Sequence, residues 1–120
     1  MTGHSDQDLD PEDLKIVTLA RAARARTGAA ESAAVRDDTG RSYVATTVAL
    51  PSLALSALQA AVAMAVSSGA GTLAAATLVT EAGTVSDLDL AVLREVGAPA
   101  GITVIRTDPD GTVQSVHALA

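Results

Sequence analysis

The sequence predicts one α/β domain, a three-layer α/β/α sandwich around a mixed five-stranded sheet, with elements in the order α-β-β-α-β-α-β-β. Three observations point there. Stretches with helical apolar spacing alternate with short β-branched runs. Two Asp/Gly turns join neighbouring strands as hairpins. With helices interleaved among the strands, both faces of the sheet have to be covered. The chain has 120 residues, enough for one domain with a layered core.

Residues 1–11 read as a disordered acidic tail and 12–120 as the domain. Asp10-Pro11-Glu12-Asp13 opens the first helix with a capping aspartate, proline at the first position and acids in the first turn. Leu14, Ile16, Val17, Leu19 and Ala20 supply its apolar side. Arg21, Arg24 and Arg26 suit the negative end of the helix dipole and read as a solvated helix end, and Gly28 closes it. Two strands follow, roughly 30–37 and 41–48, joined at Asp38-Thr39-Gly40. Pro51 and Ser52 are expected to start a long helix running to Ser68, apolar nearly all round and closed by Gly69. A buried strand at 72–80, a helix from Ser86 to Val96, and strands 101–107 and 112–118 complete the chain. Asp108-Pro109-Asp110-Gly111 forms the turn of the last hairpin.

Composition narrows the function classes. Hydrophobic residues make up 48%, but Ala and Val dominate and Tyr43 is the only aromatic. Such a core buries less area per residue than one of Leu and Phe, so its layers must approach closely. That puts weight on association, and a homo-oligomer, dimer or tetramer, is expected. There is no cysteine, hence no disulfide or thiolate chemistry. The only histidines are His4, in the tail, and His117, which reads as a surface or satisfied side chain on the last strand. Gln59 and Ser67 break the longest apolar run, and the first residues are polar and acidic, so neither a membrane span nor a secretory leader is expected and the chain is placed in the cytoplasm. Five of the 14 acids fall within residues 1–13, leaving a nearly neutral body with no electrostatic footprint for nucleic acid.

Several segments, quoted in order, carry a family resemblance. Ser32-Ala33-Ala34-Val35 with Thr39-Gly40-Arg41-Ser42-Tyr43 resembles the first hairpin of small nucleoside deaminases. Thr47-Val48-Ala49 falls where that family has Asn-Val-Glu. Ser56-Ala57-Leu58, followed by Ala65-Val66-Ser67-Ser68-Gly69, is similar to Cys-Ala-Glu followed by Ala-Val-Ser-x-Gly. Ser86 and Asp89 with Val92-Leu93-Arg94-Glu95-Val96 resemble the Cys-x-x-Cys helix and its tail. Over residues 12–118 the chain therefore resembles the cytidine deaminase-like superfamily, in the branch acting on free nucleosides. The resemblance implies the cytidine deaminase fold, commonly a homotetramer, with zinc-dependent cytidine deamination as the family activity.

That chemistry needs three His or Cys ligands, an activated water and a glutamate that shuttles protons. The matching positions here are Ser56, Ser86 and Asp89, with Leu58 for the glutamate, and Thr47 and Ala49 for the residues that hold the ribose. A serine hydroxyl is a poor zinc ligand, one carboxylate does not hold a catalytic zinc, and leucine cannot move a proton. Each residue also has an ordinary role. Ser86 and Asp89 have the form of a helix N-cap with a reciprocal acid, Ser56 would bond back to a carbonyl inside its helix, and Leu58 would be core. The reading is a catalytically degenerate cytidine deaminase-like protein, a non-enzymatic binding or scaffold module with no zinc or other cofactor. Two alternatives stay open: an active cytidine or related nucleoside deaminase with an atypical site, and a regulatory partner of another protein, using the acidic arm or the outer face of the helix at 12–27.

Overall fold

The computed structural model describes residues 9–120. Helix α1 (Pro11–Thr27) begins where the sequence signals place it, with the Asp10 side chain accepting from the Glu12 N–H at 2.8 Å. It ends at Gly28, whose φ of 67° is the left-handed conformation that favours glycine. Leu9 already packs against Val17, Ile105 and Val113. The acidic tail assigned to residues 1–11 lies, as far as residue 8, outside the described residues.

Strands β1 (Ser32–Asp37) and β2 (Ser42–Thr46) form the first hairpin. The next segment differs from expectation. No helix starts at Pro51; instead β3 (Val48–Leu50) and β4 (Leu53–Leu55) form a short antiparallel ribbon turning at Pro51-Ser52, and α2 runs only from Ala57 to Ser67. Proline is favoured both at the first position of a helix and at the second of a tight turn, so Pro51 alone does not choose between them. The deciding signal is Ser56-x-x-Gln59, a capping box that fixes the helix start five residues later. Strand β5 (Leu73–Val79), helix α3 (Asp87–Val96), and strands β6 (Ile102–Thr107) and β7 (Val113–Leu119) follow as expected.

The five main strands make one mixed sheet in the order β2-β1-β5-β6-β7, parallel only between β5 and β6. Period-two alternation divides its side chains between two helical layers. On one face Ile16 and Ala20 of α1 meet Ala34, Ala75 and Val79, and Val17 meets Ile105 and Val113. On the other, Leu58, Ala61, Val62 and Ala65 of α2 and Leu93 of α3 cover Val35, Ala76, Leu78 and Val104. The small side chains of α2 let it lie close on the sheet, which is how a core with one aromatic closes.

Arg21 is not part of a solvated helix end: its guanidinium donates to the Gly111 carbonyl and packs over that glycine, tying the β6–β7 turn to α1. Arg36 pairs with Asp13 at 2.7 Å, a second tie from the sheet to α1. Among the described residues no helix is long and apolar enough to cross a membrane.

Candidate functional site

Parallel strands with helical crossovers leave a crevice beyond their carboxyl ends, where the helices that follow begin. Here that end of the sheet collects the starts of α2 and α3. Ser56 caps α2: its Oγ accepts from the Gln59 N–H at 3.0 Å, and the Gln59 side chain accepts from the Ser56 N–H at 2.9 Å. Ser56 is therefore a cap rather than a residue inside a helix bonding back to a carbonyl, because the helix starts later than the proline suggested. Ser86 caps α3 as expected, accepting from the Asp89 N–H at 3.1 Å. The carboxylate of Asp89, expected to reach back to its own cap, instead accepts from Ser56 Oγ at 2.6 Å through Oδ1.

Three of the six site residues singled out from sequence thus meet at one point. Ser56, Ser86 and Asp89 join two helix starts through a chain of hydrogen bonds, and Asp89 is buried, with 4% of its surface exposed. The donor set is two hydroxyls and one carboxylate. Among the described residues no group of three or more His, Cys, Asp or Glu is placed to hold a metal. Leu58 is buried in the main core, 1% exposed, in the cluster that holds Ala57 and Ala61.

The ribbon brings in Thr47. Val48 pairs with Leu55, so the next step of the register sets Thr47 beside Ser56. Its Oγ1 is buried without a hydrogen-bond partner among the described residues. Ala49 sits further along β3, exposed and opposite Ala54. His117 stands on β7, across from Val104.

Sequence reasoning missed two groups. Glu31, just before β1, accepts from Thr80 Oγ1 at 2.6 Å, fastening β1 to the end of β5 at the same edge of the sheet. At the opposite end of α2, Asp37 is a hub. Its Oδ1 accepts from the Thr39 hydroxyl (2.7 Å), the Thr39 N–H (2.9 Å) and the Arg41 N–H (2.9 Å), and its Oδ2 from the Tyr43 hydroxyl (2.9 Å). The Thr39 hydroxyl, chief among these donors, holds the Asp37 carboxyl down to about 2, while the bond to that carboxylate pushes the Tyr43 phenol up. Asp37 borders a surface cleft of about 440 Å³ between the β1–β2 turn and the end of α2. The Asp-x-Thr spacing at an Asx turn was the available signal.

A family model described as cytidine deaminase-like matches residues 9–111. Among solved structures, the fold is similar to that of cytidine deaminase from Mycobacterium leprae, with a TM-score of 0.68 and 23% identity, covering 88% of this chain and 92% of that one. It is also similar to cytidine deaminase from Burkholderia pseudomallei, with a TM-score of 0.73 and 23% identity over 88% and 91% of the two chains. A glutamate-to-glutamine mutant of cytidine deaminase from Mycobacterium tuberculosis gives a TM-score of 0.63 and 25% identity over 89% and 92%. No curated protein matches significantly.

Proposed function

The chain belongs to the cytidine deaminase-like family, and we propose that within it this protein is a catalytically degenerate member, a binding or scaffold module that neither holds zinc nor deaminates. The observation that carries this reading is the 2.6 Å bond from Ser56 Oγ to Asp89 Oδ1. Where the family resemblance implies a zinc ion between two helix starts, the side chains here bond to one another directly. Zinc takes thiolate and imidazole ligands, with a carboxylate as a minority partner, and two neutral hydroxyls beside one carboxylate do not fit it. Leu58, at the position of the proton-shuttling glutamate, is buried and aprotic. Loss of a general acid/base alone lowers rates by about 10²–10⁴-fold, and loss of the metal-activated water compounds it.

The same reading includes self-association. Leu50 and Leu53 on the β3–β4 ribbon and Met64 and Val66 on α2 are exposed large apolar side chains, of the kind an interface between copies would cover. Light scattering is expected to give about 24 or 48 kDa for closed symmetric assemblies of this chain, and a monomer at micromolar concentration would remove this part of the proposal.

Metal analysis and ammonia release from cytidine, on protein purified without chelator or affinity tag, test the central claim together. The expected result is no stoichiometric zinc and no turnover. One zinc per chain with ammonia release would show an atypical but working deaminase and overturn the proposal.

A further inference from the structure

A second cavity, of about 290 Å³, opens beside α3 and does not involve the Ser56–Asp89 junction. Segments distant in sequence wall it: Gly83 and Val85 from the β5–α3 loop, Leu90 from α3, and Arg106, Ser115 and His117 from β6 and β7. The β6–β7 register explains the grouping. Arg106 pairs with Ser115 and Val104 with His117, and Val104 lies in the core under α2 and α3, so the three polar residues share that face just beyond the core. Leu90 follows Asp89 by one residue, about 100° around the helix, so α3 presents one side to Ser56 and another to this cavity.

The charge here is unbalanced. Among the described residues no carboxylate pairs with Arg106; its one hydrogen bond goes from Nη1 to the Ala82 carbonyl at 3.3 Å, which steadies the guanidinium against the loop. No acid lines the cavity. Neither Ser115 nor His117 makes a side-chain hydrogen bond to a described residue. A guanidinium fork matches a carboxylate or phosphate in two parallel bonds, and it gains most where apolar walls lower the local dielectric. Val85 and Leu90 are such walls, and the volume falls at the small end of the roughly 300–1,000 Å³ typical of ligand pockets.

We infer that this cavity is a binding site for a small amphipathic anion. Its headgroup sits on Arg106 beside Ser115 and His117, and a short apolar body lies against Val85 and Leu90. The site is independent of any deaminase activity, and its occupant binds without being transformed.

The test is a backbone-amide NMR titration of the full chain with sodium hexanoate and with hexyl phosphate, which distinguish a carboxylate from a phosphate headgroup. 1-Hexanol and inorganic phosphate supply the body and a headgroup separately. Saturable shifts are expected at Gly83, Val85, Leu90, Arg106, Ser115 and His117 with one or both amphipathic anions, at least tenfold tighter than with either half. Arg106→Gln should weaken binding about tenfold or more, as loss of a charge-assisted pair does. Should that variant misfold, Arg106→Lys, which keeps charge but loses the fork, and His117→Gln at an exposed position are each expected to weaken it several-fold. Absence of saturable shifts, equal binding of hexanol, shifts centred instead on Asp37 and Tyr43, or unchanged affinity in a folded Arg106 variant would overturn the inference.

Discussion

Replacing Ser56 with alanine is expected to destabilise the domain by about 3 kcal/mol, and the structure separates that figure into two parts. The first is the cap: Ser56 Oγ accepts from the Gln59 N–H at 3.0 Å, and losing a serine cap costs about 1 kcal/mol. The second is the bond donated to Asp89 Oδ1 at 2.6 Å. Hydrogen bonds to charged groups contribute about 1.5–3 kcal/mol, and removing the donor leaves a carboxylate with little access to water. A loss near 3 kcal/mol lowers the melting temperature by on the order of 10 °C in a domain of this size.

A double-mutant cycle isolates the second part. Urea unfolding followed by circular dichroism would be measured for the parent, Ser56→Ala, Asp89→Ala and the double variant. Cap loss is common to both arms containing Ser56→Ala and cancels. The coupling energy left is that between Ser56 and Asp89, expected at about 1.5–3 kcal/mol. A coupling below about 0.5 kcal/mol, with unchanged denaturant slopes, would mean the two helix starts are not held together by this bond, and the reading of the junction would fail.

Three other outcomes can be checked independently. Thr77→Val should be neutral or stabilising by about 1 kcal/mol, because the Thr77 hydroxyl is buried without a partner among the described residues and valine keeps the shape; clear destabilisation in thermal melts would reveal a bond not accounted for. Asp37 has its folded pKa lowered to about 2 from 3.8, so its contribution is complete above about pH 4 and disappears as pH falls through the folded value. The melting-temperature gap between the parent and Asp37→Asn should therefore hold steady near neutrality and close between about pH 4 and 2, and a gap that widens on acidification would refute the sign. The triple variant Ser56→Cys, Ser86→Cys, Asp89→Cys should take up about one zinc per chain, seen by metal analysis and by thiolate-to-cobalt absorption after exchange; a folded triple variant without metal would mean these three side chains do not converge.

What could be read from the chain beforehand was what depends on neighbours in sequence. Asp10-Pro11 and Gly28 bracket α1 because capping involves residues two to four apart, and Asp108–Gly111 turns the last hairpin through bonds between Asp108, Gly111 and Thr112. The β3–β4 ribbon lies where Pro51 suggests a helix start, and its signal is local: the Ser56–Gln59 capping box sets the start of α2, which leaves Pro51 to a turn. The Ser56–Asp89 bond was not legible: the partners are 33 residues apart, and only the stacking of α2 and α3 on one face of the sheet brings them together. The same holds for Arg21 on Gly111, joined across 90 residues.

The junction also accounts for how this end of the fold stays closed. Two helix starts that meet bring two positive dipole ends, and N–H groups that have no partner within their own helices, toward one point, an arrangement that favours an anion between them. Asp89 is placed to be that anion. It lies in the first turn of α3, its N–H is taken by the α3 cap, and its carboxylate receives the hydroxyl of the α2 cap. One buried negative charge therefore faces both helices. Serine is suited to both cap positions because it accepts from its own helix, and at position 56 it also donates to Asp89. Leu58, two residues beyond the α2 cap, lies with Ala57 and Ala61 in the core, so the network is built from the caps and Asp89 alone. Geometry at this edge of the sheet is thus maintained by hydrogen bonds among the side chains and backbone of the two helix starts themselves, and these tie α2 to α3 across 33 residues of sequence.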